Sequence, residues 1–131
     1  MEARFDKFRS NPPGESDMPE YRSISEAELK KELESLPGWE MRDGWLRREY
    51  RTPGFSHTMM LVNTIGYLAE AAYHHPDLSV GYAQVTVKLQ THKVHAITWN
   101  DVELARKIHE VVTWKPAQGA ALEGFPKTWV H

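Results

Sequence analysis

The chain has no cysteine among its 131 residues, which rules out disulfide staples, thiolate metal ligands and thiol nucleophiles, and which fits a reducing compartment. It also lacks an excess of either charge. Sixteen Lys+Arg stand against 18 Asp+Glu, a net charge of -2 with both signs interspersed, so no basic face is offered to nucleic acid. Long apolar runs are missing too. The longest uncharged apolar run, in TMMLVNTIGYLA, is too short to span a bilayer, and the N-terminal MEARFDKFRSNPPGESDMPE has acids and prolines where a secretory signal has an apolar segment. Neither a G-x-S-x-G elbow nor a glycine-rich phosphate loop occurs, and no internal repeat is visible. These absences leave a soluble, cytoplasmic protein with no membrane or nucleic-acid partner. Its length and 40% hydrophobic content suit one domain.

Local signals divide the chain. Residues 1–21, with Pro12, Pro13, Gly14 and Pro19 among polar neighbours, read as a flexible leader, and residues 115–131, rich in Pro and Gly with scattered Phe125 and Trp129, read as an irregular surface tail. The folded unit is expected over 22–114. Ser25 and Glu28 form a capping box with Ile24 and Leu29 as its apolar staple, and Leu29, Leu33 and Leu36 make the stripe of a helix that Pro37-Gly38 stops. Asp43-Gly44 supplies a type I′ hairpin turn, with Trp45 to Arg51 as the clearer strand. From Thr52-Pro53 a long helix runs to about Tyr73, ended by Pro76. Two apolar faces are assigned to it: Phe55, Met59, Val62 and Ala69 on one, Leu61, Ile65, Leu68 and Ala72 on the other. The second face implies a subunit interface. Val85, Val87 and Leu89 alternate with polar residues as in a half-buried strand, preceded by a short strand within Asp77 to Tyr82. Thr98 and Asp101 cap a last helix whose buried stripe is Val102, Ala105, Ile108 and Val112. The order α-β-β-α-β-β-α predicts an α+β fold, an antiparallel sheet of three to four strands with about three helices on one face.

The chemistry concentrates in AYHHPDLSVGYAQVTVKLQTHK, which holds His74, His75 and His92. Histidine titrates near neutrality and serves as acid or base. Glu70 lies four residues before His74, a spacing that on a helix lets the carboxylate orient that imidazole, and Pro76 lets the adjacent rings diverge into a cleft. Two other readings stand beside this one. The pair is equally a solvated helix cap with His92 facing water, or part of a zinc site, against which the adjacent His-His lacks the usual i, i+4 ligand spacing. Trp39 and Tyr82 are candidates to flank a flat ligand, with the core the more economical place for Trp39. Asp101 reads as a helix cap, and His57, His109 and His131, without cluster partners, read as surface residues.

The composite of Glu70, His74-His75-Pro76, Tyr82, His92 and Asp101, with Gly38-Trp39 ahead of the hairpin, resembles the pterin-4a-carbinolamine dehydratases. The resemblance implies dehydration of 4a-hydroxytetrahydrobiopterin to quinonoid dihydrobiopterin, with neither metal nor redox cofactor, in a homodimer or homotetramer. It maps the catalytic histidines onto His74, His75 and His92, with Glu70, Trp39, Tyr82, Pro76 and Thr91 around the pterin substrate. Two positions depart from the pattern. Tyr73 stands where an acidic residue often precedes the histidine pair, and Thr86 where some members carry a further strand histidine.

Overall fold

The chain order α1 (Glu26–Leu33), β1 (Glu40–Arg42), β2 (Trp45–Arg51), α2 (Phe55–Ala72), β3 (Asp77–Val80), β4 (Gln84–Leu89) and α3 (Trp99–Val112) builds one four-stranded sheet with three helices on one face. This is a computed structural model, and it describes residues 21–123 and 130–131. Every strand pairing is antiparallel, in the spatial order β1-β2-β4-β3. The predicted topology therefore holds, short third strand included. Most of the leader, and Phe125 and Trp129 of the tail, lie outside the described residues.

Alternation decides which face the helices cover. Leu46 and Tyr50 of β2 and Val85, Val87 and Leu89 of β4 are fully buried, while Arg47, Glu49, Thr86 and Lys88 point the other way. The register joins Leu46 to Leu89 and Tyr50 to Val85, so the apolar residues of both central strands share the helix side. Into that layer pack Leu61 and Ile65 of α2 and Val102, Ala105 and Ile108 of α3. Each large aliphatic side chain so buried contributes roughly 1.5–3 kcal/mol from apolar area alone.

The local devices read from the sequence are in place. The Ser25 hydroxyl accepts from Glu28 N–H while the Glu28 carboxylate accepts from Ser25 N–H, and Asp43 and Gly44 both have positive φ in the β1–β2 turn. The first helix is shorter than its apolar stripe: it ends at Leu33, and tighter turns carry the chain to Leu36, which is still buried. At Gly38 φ is +82°, and a β-carbon there would fall on the Arg48 guanidinium, which donates to the Pro37 carbonyl and lies over the Tyr50 ring.

On α2 the buried stripe is Thr58, Leu61, Ile65 and Ala69. Phe55 and Met59 are exposed, while Ala69, assigned with them, is buried and Ala72 of the other face is exposed, so the residues divide between the two faces differently from the assignment. Thr58 goes inside because its hydroxyl is satisfied there, by the Tyr82 carbonyl and by Thr52 Oγ1. His109 is half-buried rather than on the surface, its ring lodged near Arg48 and Arg106. Residues 115–123 contain no helix or strand. Val130 is buried in the core, and the backbone N–H and C=O of His131 exchange hydrogen bonds with Arg51, beyond the point where β1 stops pairing with β2.

Candidate active site

Helix α2 ends in a left-handed turn. Tyr73 adopts φ 53° and ψ 43°, its N–H bonds to the Glu70 carbonyl, and the N–H of His74 bonds to the Ala69 carbonyl. This pair of bonds is a Schellman ending, and it swings the chain out of helical register just before the two histidines. Pro76 then delivers it into β3. The adjacent rings diverge as expected. His74 turns inward, its side chain 19% exposed, and His75 turns outward, 50% exposed.

His74 does not meet Glu70. Its Nε2 lies 2.5 Å from Oδ1 of Asp101, a fully buried carboxylate on the first turn of α3. The other oxygen of Asp101 accepts from the Thr98 N–H and from the Thr91 hydroxyl, each at 2.9 Å. Asp101 is the helix cap that its spacing from Thr98 predicts, and it also anchors His74. Glu70 instead reaches His75, with 2.7 Å between Oε1 and Nε2. The i, i+4 pairing predicted for Glu70 and His74 fails because helical geometry stops at Tyr73, one residue short of His74.

An ionised carboxylate only accepts, so Nε2 carries the hydrogen in both pairs, and in the neutral ring Nδ1 holds the lone pair. His92 is held differently. It follows β4 and Thr91, and its ring sits edge-to-face with Trp45 at 6.4 Å, with the Lys88 ammonium 4.5 Å from the same indole. Its nitrogens have no hydrogen bond to the described residues.

All three histidines line one cleft of about 260 Å³, together with Thr91 and Tyr73. Tyr21, Ala72, Lys93 and Asn100 complete its walls. A larger hollow of about 450 Å³ between α2 and α3 touches only His74 of the three, so the imidazoles share only the smaller one. Among the described residues no group of three His, Asp or Glu side chains is placed to hold a metal ion. No helix of the described residues is long and apolar enough to cross a membrane.

The remaining candidates separate clearly. Thr91 is buried at the cleft and tied to Asp101, and Pro76 is half-buried and does not line the cleft. Trp39 is a core residue, 5% exposed and edge-on to Tyr50 at 6.3 Å, and it does not line the cleft. Tyr82 is 73% exposed and stacks on Phe55. It sits in the β3–β4 turn, at the end of the hairpin opposite His75 and His92, because antiparallel pairing of Asp77 with Lys88 puts the histidines at the far end. The cleft residues that were not sequence candidates are Tyr21, Ala72, Lys93 and Asn100. Tyr73 is noted in the sequence only as a departure before the histidine pair, and Asp101 only as a helix cap and as part of the family composite, so its role as the anchor of His74 is new.

Comparison with known proteins identifies the family. The model of the pterin 4 alpha carbinolamine dehydratase family matches residues 22–111. A protein of Aquifex aeolicus assigned by name to the pterin-4-alpha-carbinolamine dehydratases is 46% identical over 91 residues, covering 70% of this chain and 92% of its own. A like-named protein of Thermomicrobium roseum is 38% identical over 90 residues, 69% of this chain and 97% of its own. Among solved structures, a transcriptional coactivator/pterin dehydratase from Brucella melitensis superposes with a TM-score of 0.65 at 28% identity, covering 69% of this chain and 98% of that one. With all three histidines inside the matched segment, this chain belongs to the pterin 4 alpha carbinolamine dehydratase family.

Proposed function

We propose that this protein dehydrates 4a-hydroxytetrahydrobiopterin to quinonoid dihydrobiopterin in the cytoplasm, with His74 as general base and His92 as general acid. What supports the reading is one cleft shared by three imidazoles, of which His74 has its tautomer set by a buried carboxylate. The lone pair on Nδ1 of His74 removes the proton from the ring nitrogen N5. The electrons of that N–H bond form the C4a=N5 double bond, the C4a–O bond breaks, and the leaving hydroxide takes a proton from the His92 imidazolium to depart as water. Solvent then restores both protonation states. His75, held by Glu70, orients the pterin. Each positioned proton transfer contributes about 10²- to 10⁴-fold.

The test generates the 4a-carbinolamine and follows its decay with and without protein. His74→Ala and His92→Ala should each slow the catalysed step about 100-fold or more. Rates unchanged in both variants would remove the assignment, and pterin binding without turnover in the wild type would leave a binding module in place of an enzyme. Faster turnover of a differently substituted 4a-hydroxypterin would shift the substrate to another pterin pathway.

The protein also assembles, on this reading, as a homodimer or homotetramer through the outer surface of α2, where Phe55, Met59, Met60 and Tyr67 are exposed. Light scattering on the wild type and on Met60→Glu checks it: a wild-type monomer sinks the assembly.

A further inference from the structure

We propose that Tyr73 is a substrate-positioning residue, its ring forming the aromatic wall of the cleft on which a flat heterocycle lies; the inference rests on the pterin reading above and deepens it. Tyr73 occupies the left-handed region, at φ 53° and ψ 43°, where a side chain is strained and glycine or asparagine is at ease. Neither the cap nor the core requires a tyrosine there. The bonds that end α2 run through the backbone N–H groups of Tyr73 and His74, and any residue able to adopt the conformation makes them. The side chain is 65% exposed, so little burial offsets the strain.

What the ring does touch is the site. It stands edge-to-face on His75 at 5.8 Å and 77°, and it lines the cleft with His74, His75 and His92. Strained residues are held where function uses them, and here the strained residue carries an aromatic face to the place where a flat ring must stop. Glu70 ties the Nε2 side of His75 while Tyr73 braces the ring, so the orienting imidazole is fixed by two contacts of different kinds. Both contacts come from the last turn of α2 and its cap. An aromatic contact of this type corresponds to about a three- to tenfold change in affinity.

The experiment compares Tyr73→Asn and Tyr73→Phe with the wild type, measuring thermal midpoint, dissociation constant for dihydrobiopterin, and carbinolamine turnover. Asparagine relieves the backbone and removes the ring, so the midpoint should rise while binding weakens about three- to tenfold and KM rises with kcat little changed. Phenylalanine keeps both ring and strain, and it should retain the wild-type constants. A Tyr73→Asn protein that is more stable yet binds the pterin as tightly as the wild type overturns the inference and leaves Tyr73 a cap residue. Equal weakening in the phenylalanine variant overturns it as well, since the ring would then not be the contact. A wild type that binds no pterin at all overturns instead the reading on which the inference rests.

Discussion

Replacing Asp101 with asparagine preserves the shape of the side chain and changes only what its atoms accept and donate. In the wild type the buried carboxylate accepts from His74 Nε2, from the Thr98 N–H and from the Thr91 hydroxyl. An amide offers one oxygen to two sides. If the oxygen keeps Thr98 and Thr91, the amide N–H₂ faces His74 and the imidazole must turn to its other tautomer, with hydrogen on Nδ1, to accept it. If the oxygen keeps His74, the amide hydrogens point at the Thr98 N–H, and a fully buried donor is left without a partner. The first outcome removes the lone pair assigned to proton abstraction and costs about 10²- to 10⁴-fold in turnover. Either outcome loses at least one hydrogen bond to a charged group, about 1.5–3 kcal/mol. Urea denaturation reads the second quantity and carbinolamine decay the first, while nitrogen chemical shifts of the His74 ring report the tautomer directly. An Asp101→Asn protein with turnover within about threefold of the wild type would refute the anchoring role, because a positioned base cannot lose its lone pair at so small a cost.

Three further outcomes follow from the packing. Burial first, then the charges of Arg48 and Arg106, hold His109 below its ordinary value of 6.5. The unfolded chain therefore protonates first, so the stability that neutral His109 provides is present above about pH 6.5 and is lost as pH falls through the lower folded value; His109→Gln should flatten that part of the stability–pH curve measured by urea denaturation. Burial pushes the Tyr50 hydroxyl from 10.0 up to about 12, with Arg48 opposing, so one of the five tyrosines should ionise late in an alkaline ultraviolet titration and vanish from it in Tyr50→Phe, and its contribution to stability should hold below pH 10.0 and disappear as pH rises toward 12. Gly38→Ala places a side chain at φ +82° and against the Arg48 guanidinium, and chemical denaturation should show a loss of about 1–3 kcal/mol.

Features specified within a few residues were legible in the sequence. Ser25 with Glu28, Thr98 with Asp101, and Asp43-Gly44 each encode a cap or turn through groups that bond across three positions or fewer, and the alternation of Val85, Val87 and Leu89 states which side of β4 is wet. Long-range partners were not legible. His74 and Asp101 are 27 residues apart, and although both belong to the family composite, no local pattern states that they touch. Glu70 was paired with the wrong imidazole because helical spacing was extended one residue past a left-handed turn at a tyrosine, where no glycine marks the break. Thr58 escaped an apolar pattern because its burial depends on an acceptor, the carbonyl of Tyr82, supplied from elsewhere in the fold. The family resemblance puts Trp39 and Tyr82 around the substrate, whereas Trp39 packs in the core, as its residue type favours, and strand register puts Tyr82 at the far end of a hairpin.

The double employment of Asp101, at once the bracket of α3 and the tether of His74, restricts how the protein can be redesigned. A library randomised at that position confounds two selections, since clones that misfold and clones that fold but cannot react are both silent. New reactivity is better sought at His75, whose companion carboxylate stands in open water and carries no helix on its back.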